Sequence, residues 1–444
     1  MVDQTFKLDI NWQANHTHSI KTGLHYFNHD LKNEWYEIRN EFYNSGSDSA
    51  YVPEIFGDSS AYADVYSISP KEVAFYIQDK MEFDDMVINV GVRYDQFDPE
   101  SVYPSDRRNP ANQLILPDSM MSLYPQAPVI SQISPRVGFA YQLGGQAVLH
   151  FSYGHFFQMP PMYAMYENNS FLVDPNNFVT RMGNTLLEPE KTITYEIGLW
   201  QELNQIMALD VALFYRDIYN LLTTKTISTY NQVKYGLYSN KDYGNVRGLE
   251  LKLDLAMGQL KGMVNYTLQY TRGNADSPGQ TFDRAGNNQD PVNRLIPMGW
   301  DQRHTLNGSL IYGTENYGGS MTAYYNSGSP YTFAPQSESV LSRINLYPNN
   351  DYRPEKYSVD CSFYYRFKLP GGYNANLDVN IYNLFDRLNE EWVNDQTGRA
   401  YTAVIKETDI AGHRSDFNDY EDRIKNPSMY SSPRMVKIGI GVNF

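Results

Sequence analysis

Residues 436–444 read VKIGIGVNF. Val436, Ile438, Ile440, Val442 and Phe444 occupy every second position, with Lys, Gly, Gly and Asn between them. Because successive side chains of a strand point to opposite faces, this alternation predicts a β-strand with one apolar face. The same period recurs along the chain, in residues 88–95, 249–255, 264–271 and 375–382. The sequence therefore predicts an all-β protein whose strands each have one apolar face.

The environment of that apolar face follows from segment length and composition. The alternating segments last about 8–11 residues, which suits a tilted strand that crosses a bilayer. The chain has 38 Tyr among 444 residues, and tyrosine favours membrane–water interfaces. Mean hydropathy is −0.54, as a barrel allows, since only alternate strand residues face lipid. We predict an antiparallel transmembrane β-barrel, with a soluble sheet that has one wet face as the alternative.

The spacing of the breaks gives the strand count and orientation. Short connectors alternate with long ones, apart from a short link at 225–232, as periplasmic turns alternate with extracellular loops in bacterial barrels. We predict about 15 strands, at roughly 5–13, 18–38, 71–83, 87–98, 134–143, 146–158, 191–203, 206–224, 233–257, 260–273, 303–314, 318–333, 356–369, 373–393 and 433–444.

An odd count has a consequence for closure. The first and last strands would run in the same direction, so they could not pair to close an all-antiparallel barrel. Bacterial single-chain barrels have even strand numbers, and the large plugged transporters have 22 strands. The N-terminal MVDQTFKLDINWQ also has no basic and apolar signal-peptide regions. We therefore expect residues 1–444 to be a partial barrel domain, with the plug and the first strands missing.

Composition disfavours several other functions. A net charge of −15 argues against a nucleic-acid partner. The single Cys361 excludes an intramolecular disulfide and any multi-cysteine metal site. The chain has no G-x-S-x-G, H-E-x-x-H or Walker motif. We expect no enzyme activity and no cofactor.

Two groups of residues have the chemistry of metal ligands. On a strand, His25 and His29 would share a face but lie about 13 Å apart, too far for one ion. His16 and His18 fall in a predicted periplasmic turn. Polar lumen or turn histidines are the preferred interpretation. A loop group could instead bind Ca²⁺, but its spacing matches no known calcium loop, so we interpret it as solvated charge: Asp409, Asp416, Asp419, Glu421 and Asp422.

Several stretches, in order, resemble TonB-dependent receptors, especially the subgroup with an N-terminal carboxypeptidase-regulatory-like domain. The strongest is LEPEKTITYEIG at 187–198, similar to the family's Glu-Pro-Glu…Tyr-Glu-x-Gly pattern. The others are PKEVAFYIQDKMEFDDMVINVGVRYDQF (70–97), SPRVG (134–138), FSYGHFFQMP (151–160), FYRDIYNLL (214–222), GNVRGLEL (244–251), DQRHTL (301–306), SGSPYT (327–332), NIYNLFDRLN (380–389) and PRMVKIGIGVNF (433–444).

The resemblance implies uptake of a scarce solute across the outer membrane of a Gram-negative bacterium. The implied partners are outer-membrane lipid, the barrel-assembly machinery and an unidentified small solute, glycan or peptide. TonB would act only through the missing plug. The alternatives are a passive porin-type channel, a structural surface barrel, and a soluble carbohydrate-binding or adhesion protein.

Site residues follow from this interpretation. Val436, Ile438, Ile440, Val442 and Phe444 resemble the terminal signal read by the assembly machinery, against a plain final strand as the alternative. Loop aromatics are candidates for substrate contact, although surface loop packing would explain each of them: Tyr163, Tyr166, Phe171, Phe282, Trp300 and Tyr331. Charged residues that could line the transport path, or pair with each other or with the plug, are Arg93, Glu196, Arg216, Glu250 and Arg366.

Overall fold

A computed structural model describes residues 2–40, 52–334, 346–404 and 425–443. Fifteen long strands dominate them. They are β1 (Val2–Gln13), β2 (His18–Tyr36), β3 (Lys71–Glu82), β4 (Met86–Asp98), β5 (Ile130–Leu143), β6 (Ala147–Gln158), β7 (Glu190–Asn204), β8 (Met207–Ser228), β9 (Lys234–Met257), β10 (Leu260–Gly273), β11 (His304–Gly313), β12 (Tyr317–Asn326), β13 (Lys356–Lys368), β14 (Asn374–Tyr382) and β15 (Met435–Asn443).

The fifteen strands form one continuous meander. Each pairs antiparallel with the next in chain order. Turn chemistry helps to set this path, since tight hairpins need residues with positive φ. Gly144 and Gly145 supply it between β5 and β6, with φ of +61° and +81°. The prediction of an all-β antiparallel sheet with about 15 strands is confirmed.

Three strands end four or more residues away from their predicted last residue, and β5 begins at Ile130, four residues before its predicted start. The strand predicted over 318–333 ends at Asn326, because the following turn brings Gly328 against the backbone of Arg353 and removes it from the ladder. The strand predicted over 373–393 ends at Tyr382, where Asn383 and Asp386 adopt positive φ. In the other direction, β8 continues to Ser228 and pairs with β9 there.

The sheet has two free edges in the described part of the chain. There β1 pairs only with β2, and β15 pairs only with β14. With fifteen antiparallel strands, β1 and β15 run in the same direction. Pairing these two edges directly would therefore not give an all-antiparallel barrel.

The long connectors carry short elements. Two are helices, α1 (Met162–Tyr166) and α2 (Gln280–Gly286). Ala63–Ile68 extends the sheet along the end of β2, and Arg181–Met182 pairs parallel with Gly236 and Leu237 of β9. The remaining short strands of the described residues are Ile38–Arg39, Glu54–Ile55, Ile296–Pro297, Pro330–Tyr331 and Asp351–Tyr352. Short 3₁₀ helices lie at Asp118–Met120 and Pro427–Met429. Among the described residues, no helix is long and apolar enough to cross a membrane.

Candidate functional site

One face of the sheet is an exposed apolar surface. Leu8, Leu24, Phe75, Tyr94 and Ile133 lie opposite one another on five successive strands. All five are exposed, Ile133 to 62%. An apolar surface of this extent marks contact with a membrane or a partner. Its alternation with polar residues along every strand is the pattern of a lipid-facing barrel wall.

The opposite face is polar. The adjacent row joins Asp9, Gly23, Tyr76, Arg93 and Ser134 across the same five strands. The five predicted lumen residues all lie on this face by strand register: Arg93, Glu196, Arg216, Glu250 and Arg366. The face on which each of these side chains lies could be predicted from the alternation along its strand alone.

A depression in the polar face contains Arg93. It encloses about 510 Å³, and its lining includes Gly91, Gly138 and Gly154. The absence of side chains at these glycines leaves the backbone as part of the wall. Lys21 and Arg136 also line it, and neither forms an ion pair with any residue that the structure describes.

Hydrogen bonds fix the polar groups around this depression. The Tyr76 hydroxyl donates to Asp9 Oδ1 at 2.6 Å, and His25 Nε2 lies 3.3 Å from the same oxygen. Arg93 Nε donates to Asp95 Oδ1 at 2.8 Å. Since the carboxylates have local partners, the charges available to a ligand or a docked domain here are cationic.

The remaining lumen candidates have separate local contacts. Glu196 Oε1 lies 4.0 Å from His150 Nδ1, and the Arg216 guanidinium lies over the Phe214 ring, 5.0 Å from its centroid. Arg366 lies by the turn between β11 and β12 and donates to the Glu315 carbonyl at 3.4 Å. Within the described ranges, no ion pair joins two of the five candidates.

A layer of loops covers one end of the sheet, and most of the predicted substrate aromatics hold it together. Tyr166 is fully buried in the cluster that contains Phe97 and Leu187, and its hydroxyl donates to the Pro99 carbonyl at 2.9 Å. Phe171, Phe282 and Tyr331 are also buried. Their burial favours the packing interpretation over substrate contact.

Two of the predicted aromatics are accessible. Tyr163 is 48% exposed and Trp300 is 52% exposed. Tyr163 is the second residue of the short helix α1, which ends at the buried Tyr166, so the same helix presents one ring outward and one inward. Only these two of the six aromatics are placed where a solute could reach a large part of the ring.

Three charged residues of the loop layer are partly buried. Burial raises the pKa of Asp64 to about 6, against hydrogen bonding that lowers it, and burial also raises the pKa of Glu167. The backbone N–H of Asn168 donates to Asp64 Oδ1 at 3.0 Å. Arg107 is partly buried as well; it donates to Asn184 Oδ1 at 2.8 Å, and its partial burial lowers its pKa.

The terminal strand adds to the apolar face. Val436, Ile438, Ile440 and Val442 are all exposed there, Ile440 to 76%. Phe444 lies outside the described residues. The assembly-signal interpretation of this strand stays a prediction.

The histidines of β2 lie beside carboxylates, and His29 lies beside two, since its Nε2 is also 3.4 Å from Glu72 Oε1. His25 lies by Asp9, and His29 Nδ1 is 2.8 Å from Asp3 Oδ1. His18 Nδ1 is 2.7 Å from Asp79 Oδ2. Where the structure describes the chain, no group of three or more His, Cys, Asp or Glu could hold a metal ion. The acidic residues at 409–422 lie outside that part.

Sequence reasoning did not single out Arg136 or the contact between Gly23 and Tyr76. Arg136 could have been predicted from the sequence, because it is the central residue of the SPRVG motif. The Gly23–Tyr76 contact was not predictable, because it depends on the register between β2 and β3. Residues 37–70 separate these two strands in the chain.

The sequence matches the family model described as TonB dependent receptor-like, β-barrel, over residues 2–384. No curated protein sequence matches the chain. Similar folds include the ferric-catecholate import receptor Fiu from K12 E. coli (16% identity, TM-score 0.53, 89% of this chain and 52% of that one). Another is the FrpB iron transporter from Neisseria meningitidis, F5-1 variant. It has 15% sequence identity and a TM-score of 0.55, and the match covers 99% of this chain and 55% of that one. A third is the copper transporter OprC, with 12% sequence identity and a TM-score of 0.55. The match covers 98% of this chain and 55% of that one. The chain thus spans about half the length of these structures.

Proposed function

The chain belongs to the TonB dependent receptor-like β-barrel family, and from this membership we propose that its complete protein takes up a scarce solute in a TonB-dependent manner. The family consists of Gram-negative outer-membrane transport proteins rather than enzymes. The solute, its route and the energy coupling are the proposed part.

The observation that carries the proposal is the two-faced wall. Exposed apolar side chains form one face, and a polar, partly cationic face lies behind it. A wall of this kind separates lipid from a hydrated interior. The loop layer over one end adds a surface at which a solute could be bound before it enters.

Closure of the wall requires further strands. A free strand edge presents unpaired N–H and C=O groups, which cannot remain exposed to hydrocarbon. We propose that additional strands, an odd number in total, join β1 to β15, as in a 22-stranded barrel. The interior would then hold a plug domain, through which TonB would act.

A finer assignment rests on the motifs. The ordered stretches from 70 to 444, with LEPEKTITYEIG at 187–198 the most specific, support membership of the subgroup with a carboxypeptidase-regulatory-like domain. Determining the coding sequence upstream of Met1 tests this: such a domain followed by a plug is expected.

Uptake can be tested without knowing the solute. The solutes left in the growth medium would be compared for the parent bacterium, a strain without this gene and a strain without TonB. We expect at least one solute to remain in the medium of both mutant strains and to be consumed again when the gene is restored.

A passive channel gives a different result. Its solute would remain when the gene is removed but would be consumed normally without TonB. A structural surface barrel would leave the medium unchanged in both mutants. Either result would overturn TonB-dependent uptake.

A further inference from the structure

A second cavity lies in the loop layer, away from the polar wall. It encloses about 690 Å³ between the β8–β9 ribbon and the connector 274–295, which contains α2. It shares no lining residue with the depression around Arg93. Its volume is that of a small-molecule site.

The charge of this cavity is opposite to that of the chain. Four cations line it, Lys225, Lys241, Arg284 and Arg294, with Asp242 as the one lining carboxylate, whereas the whole chain carries −15. In the described part of the chain, none of the four cations forms an ion pair. Their charges are therefore available to a ligand.

Some other arginines of the loops pair with acids. Arg181 Nη2 lies 2.7 Å from Asp283 Oδ1, and Arg399 Nη2 lies 2.6 Å from Glu390 Oε1. The cavity differs from these sites because its four cations, of which Lys225, Lys241 and Arg294 are exposed and Arg284 is partly buried, have no acidic partner at contact distance among the described residues.

Backbone irregularity positions one of the lysines. Leu222 pairs with Asn240 and Leu221 with Asp242, so Lys241 is the extra residue of a β-bulge. Bulges redirect side chains and often occur near functional sites. Lys225 lies opposite Leu237 on the same ribbon, which places the two lysines roughly 10–13 Å apart along it. This spacing, measured between backbone positions, leaves room for the two lysines to bind separate anionic groups of one molecule.

Arg284 is held by neutral groups. Its Nε and Nη2 donate to the Asp290 carbonyl at 3.0 and 2.7 Å. Burial lowers its pKa, which agrees with a charge that no carboxylate compensates at contact distance. Two residues earlier in α2, Phe282 is buried and lies 5.4 Å from Phe178 between ring centroids. The helix that carries Arg284 is thus anchored in advance of binding.

We propose that this cavity binds a small organic polyanion, with at least two phosphate, sulfate or carboxylate groups. The site deepens the proposed function, on which it rests for access to the cell exterior. If this ligand is the transported solute, that solute carries several negative charges.

The test uses the full-length protein in detergent and isothermal titration calorimetry with inorganic pyrophosphate and with citrate. We expect saturable binding of at least one of them, weakened by added salt. The Lys225→Gln/Lys241→Gln double variant should bind at least tenfold more weakly, because each charged hydrogen bond to a ligand contributes about tenfold or more. Arg284→Gln should weaken binding similarly.

The control is Lys32→Gln, which alters an exposed lysine on β2 outside the cavity. Heat-modifiable migration in gels checks that each variant folds; if the double variant does not fold, Arg284→Gln and the salt dependence of the unaltered protein decide. The proposal fails if neither probe binds saturably, or if Lys32→Gln weakens binding as much as the cavity variants. Binding needs neither TonB nor an energised membrane, so its failure is distinguishable from a failure of uptake.

Discussion

The ring of Tyr76 on β3 lies over Gly23 on β2, and its hydroxyl donates to Asp9 Oδ1 on β1. Gly23 pairs directly with Tyr76 in the register. A Cβ at position 23 would lie 2.5 Å from Tyr76 Cε1 and would also meet Asp9 Oδ1. Three strands therefore depend on a missing side chain, and glycine with a covering aromatic ring is a known device for fixing strand register.

We expect Gly23→Ala to destabilise the folded wall by about 1–3 kcal/mol, the usual range for overpacking. The added methyl would displace the Tyr76 ring and break its bond to Asp9. The temperature at which heat-modifiable migration in gels is lost measures the effect. Gly138→Ala is the control, since a Cβ there lies 3.6 Å from its nearest neighbour, Asn89 Cβ. Equal losses in the two variants would contradict the Tyr76 explanation.

The assignment of faces predicts a contrast between adjacent residues of β11. Leu310 pairs with Met321 on the apolar face, and Ser309 pairs with Thr322 on the polar face. Leu310→Arg should reduce stability by up to about 2–4 kcal/mol, the cost of arginine facing the middle of the bilayer. Ser309→Arg should cost much less. Urea unfolding in lipid vesicles compares them, and a reversed order would mean that the faces are wrongly assigned.

The accessible and buried aromatics should respond differently to truncation. Phe282→Ala should loosen the loop layer, because the loss of a buried phenylalanine typically costs about 3–5 kcal/mol. Trp300→Ala should leave loop stability nearly unchanged, since its ring is 52% exposed. Limited proteolysis of the loops measures both. Rapid cleavage in Trp300→Ala would show that this ring also has a packing role.

Protonation of Asp64 should stabilise the loop layer. Its pKa is raised from 3.8 to about 6, so the folded form binds the proton more tightly than the unfolded one. The stabilising contribution is complete below about pH 4 and is lost as the pH rises through about 6. We expect hydrogen-exchange protection of α1 to fall across this window, and Asp64→Asn to flatten the fall. Glu167, whose pKa is also raised, should leave a residual slope.

The free edges predict that closure needs more strands than the fifteen described. Residues 1–444 expressed alone should aggregate or remain protease-sensitive, because open edges template further pairing. The full-length protein should migrate as a folded, heat-modifiable monomer. Analytical ultracentrifugation in detergent compares the two. A closed, monomeric barrel formed by residues 1–444 would refute the argument from strand parity.

Much of the wall could be predicted from local sequence. Alternation along a strand is a property of neighbouring residues, so it located the fifteen strands and placed Arg93 and Glu196 on the polar face before any pairing was known. The ends of strands were less predictable. The alternating pattern continued beyond Asn326 and Tyr382, where loop contacts and positive φ end the ladder.

The site depended on tertiary structure. Tyr163 and Tyr166 are equivalent as loop aromatics in the sequence, yet one is half exposed and the other is fully buried. The cationic cavity joins Lys225 with Arg284, which are distant in the chain. A strand's period is written in adjacent residues, which is why the sequence alone determined a two-faced β-wall. Burial and convergence of charge arise from contacts between separate strands and loops, and only the folded chain decides them.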